Sequence, residues 1–345
     1  MKKRQSSEAD APVCPSHSFG GQAVIEGVMM RGKNCWGIAV RRPNGEIARA
    51  GFPLAPPGSS HRWLRLPIVR GVVALYDSLS LGIKALGYSA NIGLESAEPV
   101  VATEEQAGAA VLTAPLDQPA SAKTGEMAPA FGWKELTVTV VVAIAFAVGL
   151  FVVLPLAVVK YFEHTFANPF VFNLVEGLIR IAVFLIYILV ISLMPDLRRV
   201  FMYHGAEHKV IHAYEHCGRA DAEEARKYKT LHPRCGTGFL LLIMVVAVLL
   251  FALVGKPALP WLVLSRIIGI PLIIGIAYEI GIKGAGKHAD ALISRILLWP
   301  GMQLQRLTTR EPTFDQLEIA AAALEEAMRL DGVEPVPAAE AVVEA

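Results

Sequence analysis

Charge is what this sequence has little of. Only 18% of its 345 residues are Asp, Glu, Lys or Arg, against about 25% in soluble globular domains. Apolar side chains make up 54%, and the mean hydropathy is +0.46. That balance all but excludes an ordinary soluble enzyme, and it excludes a disordered chain. The formal net charge of +1 excludes nucleic-acid binding that relies on bulk basicity. Cysteine is scarce. The four, at positions 14, 35, 217 and 235, form no C-x-x-C pair and no disulfide-framework spacing, which points to reduced thiols. Residues 1–20 have no apolar core of a signal peptide, so none is expected. Neither phosphate-loop pattern is present, so the glycines of the 20–27 segment read as backbone turns. A G-x-S-x-G elbow is missing as well, and no Asp pair is placed for intramembrane proteolysis.

Long apolar runs are what the sequence has in their place. A bilayer core is crossed by roughly 20 apolar residues in a helix. Leu136–Val159 carries no charge. Phe170–Met194 is apolar but for Glu176 and Arg180. Phe239–Val254 is a third run, and Trp261–Tyr278, interrupted by Arg266, is a fourth. The expected fold class is therefore mainly α: a polytopic membrane protein with about four transmembrane helices, interfacial amphipathic helices and a small N-terminal β unit. The membrane helices form hairpins over 132–194 and 239–281, the second turning at Gly255–Pro257. Lys and Arg set the orientation. Of the 32, residues 1–135 carry 14, the 160–171 loop one, the 195–238 loop eight, the third connection one, and the region beyond 282 six. Low and high counts alternate, so both termini are expected in the cytoplasm.

The remaining segments follow from composition. Residues 1–18, 95–131 and 331–345 read as disordered. Residues 19–66 read as a cytoplasmic β unit, because Asn34–Val40 and Ile47–Phe52 flank a Pro43-Asn44-Gly45 turn. Within it, Glu26 and Arg31 are close enough in sequence to join a polar site. Residues 67–94 read as an amphipathic helix lying in the interface. Arg70, Asp77 and Lys84 recur every seven residues and form one stripe. Residues 282–330 read as interfacial and cytoplasmic helices, with Asp315–Leu330 a soluble amphipathic one. Glu176 and Arg180, spaced i and i+4, are set for an ion pair or a polar path through the membrane. Arg266 is set to pair with Glu279 or to lie at the outer interface.

The chemistry concentrates in the cytoplasmic 195–238 segment. His204, His208, His212 and His216 recur every four residues, so on a helix they occupy one 120° arc. Glu215 and Gly205 fall inside that arc, and Gly205 leaves room for an approaching group. Two His at i and i+4 can reach one ion, and imidazole favours Zn, Fe, Ni or Cu. His232 and Cys235 follow at the mouth of the third membrane helix and could close the shell. The other reading of the face is a set of polar or pH-sensitive histidines. His204-Gly-Ala-Glu207-His208 also fits H-x-x-E-H, in which Glu207 would be the general base and Glu279 a third ligand, as in inverted zincins. Paired histidines suit haem iron too, but no other haem signal is present.

Five segments carry a resemblance: Gly20–Gly32 (GGQAVIEGVMMRG), Val69–Leu75 (VRGVVAL), Tyr203–Lys209 (YHGAEHK), Thr230–Thr237 (TLHPRCGT) and Leu304–Pro312 (LQRLTTREP). Together, and in this order, they resemble the YqhQ-like family of bacterial multi-pass membrane proteins over almost all of 19–325. That family is a domain of unknown function labelled a predicted metal-dependent enzyme. The resemblance implies a bacterial cytoplasmic-membrane location and a metal at His204, Glu207 and His208. It names no substrate.

Two functions are therefore expected. In one, a divalent transition metal such as Zn sits at the cytoplasmic membrane face, held by His204 and His208 with His212, His232, Cys235 or Glu215, and Glu207 orients water for hydrolysis. In the other, the chain is a non-enzymatic membrane factor or scaffold assisting membrane-protein biogenesis, with other membrane proteins as partners. A transporter ranks third, because no internal repeat is visible.

Overall fold

The computed structural model describes residues 17–54, 62–95, 133–162, 168–255, 259–281 and 291–334. Nearly all of the three stretches expected to be disordered, and most of the turn at 255–257, lie outside these.

Four strands form an antiparallel sheet in sequence order: β1 (Gly20–Val24), β2 (Gly27–Arg31), β3 (Cys35–Arg41) and β4 (Ile47–Pro53). The β3–β4 hairpin closes at the expected turn, where Gly45 takes a φ of 90°. Side chains alternate between the two faces of a strand. Val24, Met29, Trp36, Ile38 and Val40 meet Leu81, Ala85 and Ile92 of helix α1 (Val69–Glu95). Val28, Met30 and Ala39 meet helices α5 (Pro195–Cys217) and α10 (Phe314–Asp331). The sheet is thus covered on both faces.

Two expectations about the β unit need correction. Turns were expected through the 20–27 glycines, but the turn lies at Ile25–Glu26, and Gly20, Gly21 and Gly27 sit in strands. Close packing explains the residue choice at Gly21: a Cβ there would stand 2.7 Å from the Met29 carbonyl and 2.8 Å from Glu207 Cγ. Nor do Glu26 and Arg31 share a site. Glu26 pairs with Arg199, and Arg31 pairs with Asp77 of α1.

Three described helices are long and apolar enough to cross a membrane: Val141–Tyr161, Pro169–Ser192 and Gly236–Val254. The first joins α2 (Trp133–Val148) to α3 (Leu154–Tyr161) through a π-helical turn at Gly149–Val153. A π turn opens the backbone ladder, and here the Phe151 carbonyl accepts a hydrogen bond of 2.9 Å from Arg180 Nε on α4 (Pro169–Ser192). Arg180 also forms the expected ion pair with the buried Glu176. The third crossing is α7 (Gly236–Val254). The fourth expected run lies in α8 (Leu259–Tyr278); among the described residues its apolar stretch, Ile268–Gly281, is shorter than a full crossing.

Helix α1 is held at two positions of its charged stripe, by Arg70–Glu279 and Asp77–Arg31. Its outward face is apolar: Tyr76, Leu79, Ile83 and Leu86 are exposed. Helix α9 (Leu292–Thr308) likewise exposes Leu292, Ile296 and Trp299 while burying Leu304, Gln305 and Thr308. It crosses α7 where Gly301 meets Gly238; a Cβ on Gly301 would stand 2.7 Å from the Gly238 Cα. Helix α10 is more deeply placed than its amphipathic pattern suggests, because it fills the layer between the sheet and α5.

Candidate metal centre

The histidine face is built on α5. Pro195 and Asp196 open this helix, and Gly218, in the left-handed region at φ 70°, ends it with its N–H on the Tyr214 carbonyl at 2.7 Å, the pattern expected of a helix start and stop. Ala206, Val210, Ala213 and Tyr214 turn into the core, so the opposite arc faces the loop after the short helix α6 (Ala222–Ala225) and the end of α9. The group that approaches Gly205 is the backbone of Arg310. A Cβ at Gly205 would lie 2.0 Å from the Arg310 carbonyl oxygen, and Arg310 N–H donates to the Phe201 carbonyl at 2.9 Å.

The expected ligands separate into two adjacent groups, each with donor atoms within 4.8 Å of one another: His204, His208 and Cys235, and His212, Glu215 and His232. The rings run side by side. Centroids lie 4.4 Å apart for His204–His208, 5.6 Å for His208–His232 and 4.6 Å for His232–His212. His216 is exposed, and its Nδ1 is 2.8 Å from the His212 carbonyl. Neither group includes Glu207. Its carboxylate accepts the Gly21 N–H at 3.0 Å, on the side of α5 that meets β1. The structure does not bring Glu279 to the histidines, since it binds Arg70 at the far end of α1.

The two groups differ in how their rings are held. In the first, His204 Nδ1 lies 2.8 Å from the Thr308 carbonyl and His208 Nδ1 lies 2.5 Å from the Thr230 carbonyl. A carbonyl only accepts, so both Nδ1 atoms carry the proton and both Nε2 atoms are left as acceptors. His204 Nε2 stands 3.3 Å from Cys235 Sγ. Metal-binding histidines are commonly fixed in this way by the bond their other nitrogen makes. In the second group, His232 Nδ1 accepts the Arg234 N–H at 3.3 Å, which leaves the proton on Nε2, 3.4 Å from Glu215. Arg234 holds the other Glu215 oxygen, and His212 Nε2 donates to the Leu231 carbonyl at 2.9 Å. A proton already bridges His232 and Glu215.

Burial sets the protonation of these groups. It lowers the pKa of His208, against the opposing bond to Cys235, and it lowers those of His212 and His232. These rings are neutral at pH 7, the form that binds a metal. Glu215 falls below the ordinary carboxylate range: burial pushes it up, but the His232 hydrogen bond and the Arg234 charge outweigh it. Glu207 is raised by burial, against the neighbouring His204 and the Gly21 N–H.

Three supports were not assigned from the sequence. Gln305, fully buried on α9, clamps the His232 backbone at both ends, accepting its N–H at 2.8 Å and donating to its carbonyl at 2.8 Å. Thr308 and Thr230 supply the carbonyls that orient the rings. The buried Lys209 ammonium pairs with Glu311, beyond α9. All four residues lie in the segments that carried the resemblance, but as family signature they had no role attached.

A family model described as "Protein of unknown function (DUF1385)" matches residues 66–330. The chain belongs to this family. A relative, "Uncharacterized protein YqhQ" from Bacillus subtilis (strain 168), is 30% identical over 317 residues, covering 92% of this chain and 94% of the relative. No solved structure matches. The DUF1385 match thus takes in α1, the described membrane helices and both histidine groups, and the family description assigns them no activity.

Proposed function

We propose that this DUF1385 protein is a metal-dependent membrane hydrolase, with a divalent transition metal, zinc first, held by His204, His208 and Cys235. One observation carries the reading: two imidazoles, each with Nδ1 tied to a backbone carbonyl, meet at one thiol. A His/His/Cys set is a zinc-type donor set that leaves a fourth position open. Bound there, zinc would supply Lewis acidity for hydrolysis at neutral pH. Glu207, engaged by Gly21, is a positioning residue that ties α5 to β1. His212, Glu215 and His232 form the wall beside the site and fix its register through Gln305. The positive-charge pattern supports a bacterial cytoplasmic membrane, both termini inside and the centre on the cytoplasmic face.

Elemental analysis of detergent-purified protein tests this. About one zinc, iron, manganese or nickel per chain is expected, lost in a folded His204→Ala/His208→Ala variant and in Cys235→Ser. No metal after dialysis against each ion would sink the reading. The second reading, a non-enzymatic membrane factor assisting membrane-protein biogenesis, draws support from Glu207 belonging to neither ligand set. Recovery of partner membrane proteins with metal-free His208→Ala, at wild-type yield, would favour it.

A further inference from the structure

A crevice of about 290 Å³ lies apart from the histidines, between the β1–β2 turn, the β3–β4 hairpin, the C-terminal half of α1 and the start of α5. Three arginines line it, Arg41, Arg42 and Arg199, with one acidic residue, Glu26. Glu26 is already spent. Both of its oxygens bind Arg199, and it accepts the Tyr203 hydroxyl at 3.2 Å. Arg41 donates to two neutral carbonyls, those of Gly45 and Asp315, each at 3.2 Å. Among the described residues no carboxylate pairs with Arg41 or Arg42. Two arginines without a carboxylate partner among the described residues therefore border a concave surface, which favours an anion there. Glu26 also holds a φ of 52°, strained for a residue with a Cβ, and such strain collects at functional sites. That conformation lets the Glu26 carbonyl accept the Arg41 N–H at 2.8 Å, holding the hairpin against the crevice.

The position of the crevice selects the anion. Arg199 lies on α5, which begins just after the membrane helix α4 ends at Ser192, and the linking Leu193 and Met194 are exposed apolar residues. Ile25, at the rim, is exposed. The outward apolar stripe of α1 runs along the same body. Apolar side chains facing out beside an arginine-lined hollow match the boundary between acyl chains and phosphate headgroups.

We propose that this crevice binds the phosphate of an anionic phospholipid headgroup, with Arg41 and Arg42 on the phosphate oxygens and Ile25 against the lipid's apolar part. Free phosphate shares the charge chemistry, so the test separates the two. Thermal unfolding of the full chain in detergent is followed with dioctanoyl phosphatidylglycerol, dioctanoyl phosphatidylcholine or inorganic phosphate. A ligand that binds the native state raises Tm with its concentration. Phosphatidylglycerol is expected to raise Tm, and the other two at equal concentration are not. Arg42→Gln, which sacrifices no ion pair among the described residues, should weaken the response about tenfold or more. Arg41→Gln should do the same and serves if the first variant folds poorly. Equal shifts with phosphatidylcholine, no shift at all, or a full response in both variants would overturn the proposal. A phosphate response equal to that of phosphatidylglycerol would overturn the lipid assignment in favour of a soluble-anion site.

Discussion

Cys35 and Cys235 carry the same thiol into opposite surroundings. Cys235 meets two imidazoles and the Thr237 hydroxyl at 3.1 Å. Cys35 is sealed between the sheet and α10, where its Sγ donates to the Ala327 carbonyl at 3.2 Å. Burial, with Asp331 adding to it, pushes its pKa from 9.0 up to about 12. Native protein at pH 8 should leave Cys35 unmodified by iodoacetamide, read by peptide mass spectrometry, while denatured protein loses that protection. The same shift fixes a sign. The folded state keeps the Cys35 proton where the unfolded state has lost it, so stability should fall as pH rises from about 9 toward 12. Tyr203, raised by burial to about 12, adds to that fall above about pH 10. Denaturant unfolding at stepped pH should show a shallower alkaline decline in Cys35→Ala. Sequence spacing correctly set the four histidines on one face, but it could not tell these two cysteines apart, because burial is a property of what packs on them. The surroundings of Glu207 were hidden for a related reason. Its H-x-x-E-H spacing suits a base, and spacing does not show that Gly21, far away in sequence, donates its N–H to one carboxylate oxygen. Glu207→Gln keeps an acceptor for that N–H and should cost less than about 1 kcal/mol, whereas Glu207→Ala strands a buried donor and should cost about 1–3 kcal/mol. Paired urea titrations of the two variants measure both.

At the scale of elements, the centre depends on two backbone crossings. The 308–311 segment passes over α5 at Gly205, and α9 passes over α7 at Gly238 and Gly301. Gly205→Ala drives a methyl into the Arg310 carbonyl, and overpacking of this kind costs about 1–3 kcal/mol or more. It also moves the Thr308 carbonyl off His204, so the variant should lose metal affinity as well as stability; competition with a chromogenic chelator reads the first and unfolding the second. The β3–β4 hairpin was legible because Pro-Asn-Gly between alternating apolar residues has a local cause. The helices were legible from their apolar runs. The role of α9 was not, since nothing local to Gln305 announces that it will hold a histidine 73 residues away. The split of the ligands into two groups was hidden for the same reason: spacing along α5 says which residues share a face, not which carbonyl each ring will find.

Across the whole molecule, three described helices are long and apolar enough to cross a membrane, and the Lys and Arg counts would put the histidine loop in the cytoplasm. Alkaline phosphatase fused after residue 254 should be active, and fused after residue 217 inactive, if the histidine loop is cytoplasmic; the reverse result would move the centre to the outer face. The layered β unit adds a constraint of timing. His204 waits for Thr308, 104 residues downstream, and Cys35 waits for Ala327, 292 residues downstream. During synthesis, the ribosome delivers the two sheet hairpins long before the helix that covers them. Meanwhile the intervening segments must enter the bilayer with one apolar sheet face still uncovered. The nascent chain is thus at its most vulnerable to wrong pairing while the membrane helices are inserting. The proposed metal site can reach its final geometry only after α9 has been laid back across α7.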